Sequence, residues 1–292
     1  MKLEKINESF LLTDKNPSLH ISEYYHYCVD IIKKELTGLE IPINVNLDLP
    51  TYNFNNGLKT INIGLQYEHT LVKKNGRGLN YIFESKTKTD DGENYLIRID
   101  KFPYLTDRDI IIDYSLGNLR HISTNPDLSD YLNKCKYIPL LNYELNLNLE
   151  GRTDIISNFS AWNNRRSNFL TKIKKSVTNF QNLTDCFKKE QILNQYGKTK
   201  ILVNVHQTEE HHTLEELRII PALTQGVIVI SEKVPLMESI PFKEHIIWSD
   251  YNNLENTTLE VINNYNYYHR QIFNGKFVNL INHLKQEIKI IL

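Results

Sequence analysis

A run of four β-branched residues, Val227-Ile228-Val229-Ile230, most constrains how this chain can fold. A strand that is apolar on both faces is typical of a parallel sheet covered by helices. This run belongs to an alternation of strand-like and helix-like segments that extends from residue 151 to the C-terminus. The alternation predicts a doubly wound α/β domain over residues 151–292.

The elements of this second half follow from apolar runs and helical spacing. The predicted strands are Thr153–Phe159, Lys200–Val205, Val227–Ser231 and Glu244–Trp248. The predicted helices are Asn164–Phe180, Thr213–Gln225, Leu254–Asn264 and Val278–Leu292. Thr213 followed by Glu216 has the spacing of a capping box, which predicts that the helix between the second and third of these strands starts there.

The first half is a less regular α/β pattern, assigned to one domain of residues 1–150. A helix is predicted at Ser22–Leu36, followed by strands at Ile41–Leu47, Ile61–Leu65, Asn80–Glu84, Tyr95–Ile99, Asp109–Tyr114 and Tyr137–Leu141. Too few residues separate the strands between positions 61 and 99 to hold crossover helices, so that stretch is predicted to be partly antiparallel.

Composition excludes several classes of protein. The 34 Lys and Arg residues nearly balance 35 Asp and Glu, which argues against a dedicated nucleic-acid binder. Three dispersed cysteines without a CxxC pair indicate a reducing compartment. Neither a signal peptide nor a membrane-spanning run is recognisable, so a cytoplasmic protein without a transmembrane segment is expected. Abundant Asn, Ile, Lys and Tyr indicate an A/T-rich genome, such as that of a large DNA virus or a parasite.

The segment 200–232 carries the chemistry. A strand leads into the polar loop 206–212, which opens a helix and therefore lies at the sheet edge where α/β proteins bind ligands. Glu215 falls in the first turn of that helix, and Arg218 follows on roughly the same face. A carboxylate there can accept hydrogen bonds from two ribose hydroxyls, and a guanidinium can pair with a diphosphate. The arrangement suits a nucleotide.

This segment resembles the C-terminal half of GT-B glycosyltransferases, above all the bacterial and viral glycosyltransferase-like proteins. The matching positions are Asn204, His206, Leu214, Glu215, Arg218, Ile219, Ala222, Leu223, Gly226, Ile230, Ser231 and Glu232. The segment 155–160 with Asn164-Arg165-Arg166 resembles the opening strand and basic loop of that family. Together the matches cover roughly residues 150–250.

The resemblance implies two Rossmann-like domains in the GT-B architecture and a hexosyltransferase-like activity. The N-terminal domain would hold an unknown glycan, protein or small-molecule acceptor, with the last helix packing back on it. The donor, a nucleotide-diphosphate sugar, would contact Arg165, Arg166, His206, Glu215 and Arg218. No metal and no tightly bound cofactor is expected. Candidate general bases, at the ends of predicted N-terminal strands, are Glu68, His69 and Asp113.

Two alternatives stay open. The widespread GT-B pattern would place a second glutamate where this chain has Pro221, and the loop 159–164 lacks glycines, so a non-catalytic binding or scaffold protein is a competing hypothesis. The histidines of the loop, His206, His211 and His212, allow a metal-dependent hydrolase, although their spacing does not place two imidazoles on one helical face.

Overall fold

The computed structural model describes residues 1–73, 81–85, 92–210 and 213–292. The strands are, in chain order, β1 (Lys2–Ile6), β2 (Ser9–Thr13), β3 (Asn44–Leu47), β4 (Thr60–Gln66), β5 (Leu71–Lys73), β6 (Ile82–Glu84), β7 (Tyr95–Arg98), β8 (Ile110–Asp113), β9 (Cys135–Tyr137), β10 (Asp154–Asn158), β11 (Phe180–Leu183), β12 (Thr199–Asn204), β13 (Ile228–Glu232) and β14 (Ile247–Ser249). The α-helices are α1 (Ser22–Gly38), α2 (Phe102–Thr106), α3 (Leu116–Ile122), α4 (Ser129–Lys134), α5 (Asn164–Ser176), α6 (Lys189–Tyr196), α7 (Glu216–Thr224), α8 (Leu254–Asn263), α9 (Tyr265–Ile272) and α10 (Gly275–Glu287).

The N-terminal domain is built on a six-stranded sheet in the order β1-β2-β3-β4-β8-β9. Only the β1–β2 pair is antiparallel; the other neighbours run parallel. Helix α1 buries Tyr24, Cys28, Ile32 and Leu36, which are spaced by four residues and form one face toward the core. A separate antiparallel sheet, β5-β7-β6, accounts for the short connections between positions 71 and 98.

The C-terminal domain is a parallel five-stranded sheet in the order β11-β10-β12-β13-β14. Its central strands β12 and β13 are buried almost throughout, as the Val-Ile-Val-Ile run predicts. The chain leaves β10 in one direction for β11 and then returns to the other side for β12. The carboxyl ends of β10 and β12 therefore flank a topological switch point, where open α/β sheets bind ligands.

The predicted α/β class with two Rossmann-like domains is confirmed. The elements that were not predicted are strands β1, β2, β5 and β11 and helices α2, α3, α4, α6 and α9. The predicted helix over 164–180 is too long, because Val177 is extended and Phe180 already begins β11. A β-branched residue followed by Thr178 and Asn179 ends the helix despite the apolar spacing that continues through it.

The end of α10 and the residues that follow it lie against the N-terminal domain. Lys285 Nζ donates to the carbonyl oxygen of Tyr143 at 3.2 Å, and the Ile290 amide donates to Glu35 Oε1 at 2.5 Å. Phe277 and Ile281 of α10 belong to the same buried hydrophobic cluster as Leu36 of α1. Among the described residues, no helix combines the length and apolarity needed to cross a bilayer.

Candidate active site

A cavity of about 360 Å³ lies where the carboxyl ends of strands from both domains meet. Its N-terminal wall comes from the start of α1 and the residues after β4 and β8. Its C-terminal wall comes from the residues after β10, β11 and β12 and from the first turns of α7. Among its lining side chains are His20, Glu23, Tyr67, Glu68, His69, Tyr114, Asn158, Tyr196, Gln207, Glu215 and Arg218. Four predicted site residues, Glu68, His69, Glu215 and Arg218, therefore share one cavity.

Glu215 is the most heavily contacted acid of the C-terminal wall. It precedes α7 as the N-cap, and 12% of its side chain is exposed. Its Oε2 accepts from Asn204 Nδ2 at 2.8 Å and lies 3.5 Å from His206 Nδ1. Its Oε1 accepts from Arg166 Nη2 at 3.3 Å. Donors from three elements thus fix this carboxylate at the edge of the cavity.

The ionisation of Glu215 follows from these partners. Burial by itself raises its pKa, but the hydrogen bond from His206 and the charges of His206 and Arg218 outweigh burial. Its pKa is therefore held well below the usual range. Burial lowers the pKa of His206 in turn, and the bond to Glu215 and the nearby carboxylates raise it overall. The structure favours an ionised Glu215, and this carboxylate in turn raises the pKa of His206.

Arg218 lies one turn into α7 and faces the cavity. Its Nη1 donates to Asn204 Oδ1 at 2.9 Å and is 3.9 Å from Glu215 Oε1. A fifth of its side chain is exposed, compared with 5% for Arg166. The guanidinium is thus oriented by its neighbours while part of it still meets solvent in the cavity.

Arg165 and Arg166 do not line the cavity. The Arg165 guanidinium forms a bidentate pair with Glu232 and stacks on the ring of Tyr251, 4.0 Å away. Arg166 is buried and donates from Nη2 to the carbonyl oxygen of Val205 at 2.8 Å. Both guanidinium groups satisfy partners within the domain, so this arrangement does not support their predicted contact with donor phosphates.

His206 is buried and contacts Glu215 on the side away from the cavity. Its amide donates to Glu232 Oε2 at 2.9 Å, and its Nε2 lies 3.2 Å from the carbonyl oxygen of Lys233. The structure places the ring against Glu215 rather than in the cavity. The role consistent with this position is to hold Glu215, and direct donor contact stays a prediction.

Glu68 and His69 reach the cavity from the loop after β4. His69 Nδ1 shares a hydrogen bond with Thr213 Oγ1, which joins the two domains beside Glu215. Glu68 Oε2 lies 3.6 Å from Arg98 Nη2. Burial raises the pKa of Glu68, and the Arg98 charge opposes that rise. Both residues line the cavity, and their catalytic role stays a prediction.

Asp113, the third candidate base, lies behind the cavity and does not line it. Its side chain is fully buried and accepts from the Ser115 amide at 2.8 Å and from Asn118 Nδ2 at 3.2 Å. Burial raises its pKa to about 8, against those hydrogen bonds. The Asp113 side chain, at the end of β8, bonds the turn before α3. This position is more consistent with a structural role than with proton abstraction.

The predicted capping box is wrong. Helix α7 begins at Glu216, and Thr213 bonds His69 across the interface instead of capping the helix. Glu216 is fully buried, and its Oε1 accepts from Ser115 Oγ of the N-terminal domain at 2.6 Å. The Glu216 carboxylate, which local spacing predicted would cap the helix start, instead bonds Ser115, 101 residues away.

Several cavity residues were missed at the start of α1 and around α6. His20, Glu23 and Tyr24 line the N-terminal wall because α1 follows β2, a strand that the sequence pattern did not reveal. Tyr196 and Phe187 line the opposite wall, and the Phe187 ring packs edge-on against His20 at 4.7 Å. The signal available for the first group was a helix start after an apolar segment, Phe10-Leu11-Leu12.

The described residues hold no group of three or more His, Cys, Asp and Glu side chains arranged for a metal ion. His211 and His212, on which the metal-dependent alternative depended, lie outside the described residues.

Comparison with known proteins gives one sequence relative and several distant structures. No family model matches this chain. The uncharacterized protein R358 of Acanthamoeba polyphaga mimivirus is 28% identical over 206 residues, which are 65% of this chain and 69% of that protein. A viral relative agrees with the A/T-rich composition.

Several solved structures are similar to the chain at low sequence identity and modest TM-score. TarM is 12% identical with a TM-score of 0.47, over 90% of this chain and 55% of TarM. BGT of phage T4, solved with UDP and Mn²⁺, is 8% identical with a TM-score of 0.41, over 84% of this chain and 79% of BGT. The GtfA/B complex bound to UDP and GlcNAc is 11% identical with a TM-score of 0.27, over 92% of this chain and 53% of that chain. The chain spans little more than half of TarM. These structures are GT-B glycosyltransferases, and the mostly parallel sheets of this chain agree with the α/β fold class expected from the sequence resemblance.

Proposed function

We propose that this chain is a glycosyltransferase that moves a sugar, of the hexose class, from a nucleotide-sugar donor to an acceptor in the cavity between its domains. The observation that carries the proposal is that charged and titratable side chains from both domains line the same cavity. Ionised Glu215 and cationic Arg218 face the cavity from the C-terminal domain, and Glu68 and His69 face it from the N-terminal domain. The cavity also lies at the carboxyl ends of parallel strands in both domains, where α/β folds bind ligands.

The donor is proposed to bind the C-terminal wall. Glu215, held in its anionic form, can accept hydrogen bonds from the two hydroxyls of a ribose. Arg218, with a fifth of its side chain exposed, can pair with the diphosphate and stabilise the charge that develops as the nucleoside diphosphate leaves. His206 and Asn204 act through Glu215, because their contacts restrict where its carboxylate can move.

The acceptor is proposed to enter from the N-terminal wall. If the reaction inverts the anomeric carbon, His69 or Glu68 takes the proton of the acceptor hydroxyl while its oxygen attacks that carbon and the bond to the diphosphate breaks. His20 and Glu23 line the same wall and are two further candidates for contact with an acceptor. A retaining reaction does not need a base in this position, so both stereochemical outcomes stay open.

The test is a thermal-shift panel with UDP, GDP, CMP, ADP and dTDP, with and without Mg²⁺. A ligand that binds only the folded state stabilises it by about 2.7 kcal/mol at one hundred times its dissociation constant. We expect one diphosphate nucleotide to raise the Tm, and Arg218→Gln to remove most of that rise. Arg270→Gln is the matched control, because Arg270 is an exposed arginine on α9, outside the cavity lining. No shift with any nucleotide in folded protein would refute the donor site.

A non-catalytic binding protein is the second candidate, and one observation favours it. Arg165 and Arg166 are both engaged inside the domain, which leaves fewer cations for the donor phosphates. Donor hydrolysis or transfer separates the two candidates, since a binding protein would show a nucleotide shift without either reaction.

We also propose a cytoplasmic location and a reaction that needs no bound metal. Support for the location comes from Cys28, Cys135 and Cys186, which are all free thiols, as is usual in a reducing compartment. The comparison with and without Mg²⁺ tests the second point directly.

A further inference from the structure

A second cavity, of about 260 Å³, lies beside the first at the switch point of the C-terminal sheet. It is a shallow cavity open to solvent, formed by the loop after β10, the start of α5 and the loop after β12. Its lining residues are Trp162, Asn163, Arg165, Gln207, Thr208, Glu209 and Glu210. Gln207 lines both cavities, so the two adjoin, and a chain-like ligand could extend from one to the other.

Trp162 presents an aromatic surface to this second cavity, with 61% of the residue exposed. The loop on either side of it is anchored. Ser167 Oγ donates to the carbonyl oxygen of Ala161 at 2.8 Å, and Asn163 Nδ2 donates to that of Gln207 at 2.6 Å. A single exposed aromatic residue needs no explanation by itself. An indole on an anchored loop at the edge of a cavity is a pre-organised platform for a ligand ring.

The size and charge of the second cavity limit what that ligand can be. Its volume is below the roughly 300–1,000 Å³ of pockets that enclose drug-sized molecules, so it suits one ring rather than a whole nucleotide. The Arg165 guanidinium forms a bidentate pair with Glu232 and lies 3.8 Å from Glu209 Oε1, and Glu210 adds a further carboxylate, so acids outnumber cations around this cavity. This lining disfavours a diphosphate and provides acceptors for hydroxyl groups.

We propose that this second cavity binds one ring of a neutral oligosaccharide against the face of Trp162. The aromatic face offers its negative quadrupole to the C–H groups of the sugar, and the surrounding carboxylate and amide groups bind its hydroxyls. Its use as a subsite for an extended glycan acceptor rests on the proposed function. The binding of the saccharide itself does not, because it needs neither donor nor catalysis.

The test uses the fluorescence of Trp162 in the full-length Trp248→Phe variant, where it is the only tryptophan of a chain that has two. Acrylamide quenching is measured with maltohexaose, cellohexaose, chitohexaose and xylohexaose, and separately with UDP. We expect at least one hexasaccharide to shield Trp162 and shift its emission to shorter wavelength. UDP should leave the quenching of Trp162 unchanged.

Calorimetry with that hexasaccharide then compares variants in the wild-type background. Trp162→Ala should weaken binding at least about tenfold, and Trp162→Phe should recover much of the loss. Tyr267→Ala, which removes a similarly exposed aromatic residue on α9, should bind like the wild type. Failure of all four sugars to shield Trp162, shielding by UDP, or unchanged binding by Trp162→Ala would each overturn the proposal. A failed nucleotide panel with successful shielding would reject the proposed function and leave the saccharide site standing.

Discussion

Glu215 and Glu216 are adjacent in sequence and both lie deep in the molecule, yet their surroundings favour opposite ionisation states. Glu215 contacts Arg166, His206 and Arg218, and its pKa is lowered well below the usual range. Glu216 contacts the neutral hydroxyl of Ser115, and burial raises its pKa to about 8. Burial alone therefore does not decide the charge of a carboxyl group. The charge of its partners does.

The opposite pKa shifts of Glu215 and Glu216 give these two adjacent residues different roles. The Glu215 cluster keeps an anion at the cavity wall, where a ligand can use it. The contact between Glu216 and Ser115 joins the two domains through a carboxyl group that is mostly neutral at pH 7. Variants that change one cluster and spare the other can break or sharpen this comparison.

Glu215→Ala should have the largest effect on stability. It leaves the buried Arg166 guanidinium without its carboxylate, and removing one partner of a buried ion pair costs roughly 3–5 kcal/mol. Urea unfolding at pH 7 measures this loss. Glu215→Gln should cost less, because its single amide oxygen can still accept from either Arg166 or Asn204. Glu190→Ala, on the exposed start of α6, should cost less than about 1 kcal/mol. A loss of less than about 1 kcal/mol from Glu215→Ala would contradict the interpretation that Glu215 and Arg166 form a buried ion pair.

Glu216 should make stability depend on pH. Its folded-state pKa of about 8 lies above the ordinary value of 4.5, so folding favours the protonated acid. Its contribution is complete below pH 4.5 and is lost as the pH rises through about 8. Between pH 5 and pH 9 the wild type should lose about 4 kcal/mol more than Glu216→Gln, which cannot ionise.

Asp113 is a second buried acid whose pKa is raised to about 8, so its contribution must be separated from that of Glu216. Asp113 remains in the Glu216→Gln variant, so unfolding curves of the two proteins at each pH isolate the share of Glu216. Equal slopes in the wild type and the variant would show that Glu216 is already ionised at pH 7.

Ser115→Ala should cost about 1–2 kcal/mol, because a buried carboxyl oxygen loses its donor. The hydroxyl also favours the ionised form of Glu216, so its removal should move the pH midpoint upward. Ser123→Ala removes an exposed hydroxyl at the end of α3 and should stay within about 0.5 kcal/mol. A midpoint that moves downward would mean that Ser115 does not donate to Glu216.

Local patterns predicted the elements of the C-terminal sheet well. The apolar run before Ser231 and the helical spacing after Asn164 depend on nearest neighbours, and both elements are present. Strand β11 and helix α6 were not predicted, because Phe180–Leu183 carries only two apolar residues and α6 is mostly polar on its surface. Short elements on the edge of a sheet leave little pattern to detect.

The sequence predicted which residues lie near the cavity better than it predicted their contacts. Glu215 and Arg218 reach the cavity because a strand-loop-helix unit places them there. Arg165 and Glu216 instead find partners 67 and 101 residues away, Glu232 and Ser115. No local spacing encodes such pairs, since they depend on how the sheet order and the two domains bring distant segments together.

Arg218→Gln should have the smallest effect on stability and the clearest effect on ligand binding. Its guanidinium is more exposed than that of Arg166, and water can replace its bond to Asn204. We expect unfolding to change by less than about 1 kcal/mol. The pKa of Glu215 should rise, because one of the charges that lower it is gone. If stability is retained, a lost nucleotide shift in this variant reports the ligand contact itself. A loss of several kcal/mol would instead place Arg218 with Arg166 among the groups that hold Glu215, and the cavity wall would have no adaptable cation from α7.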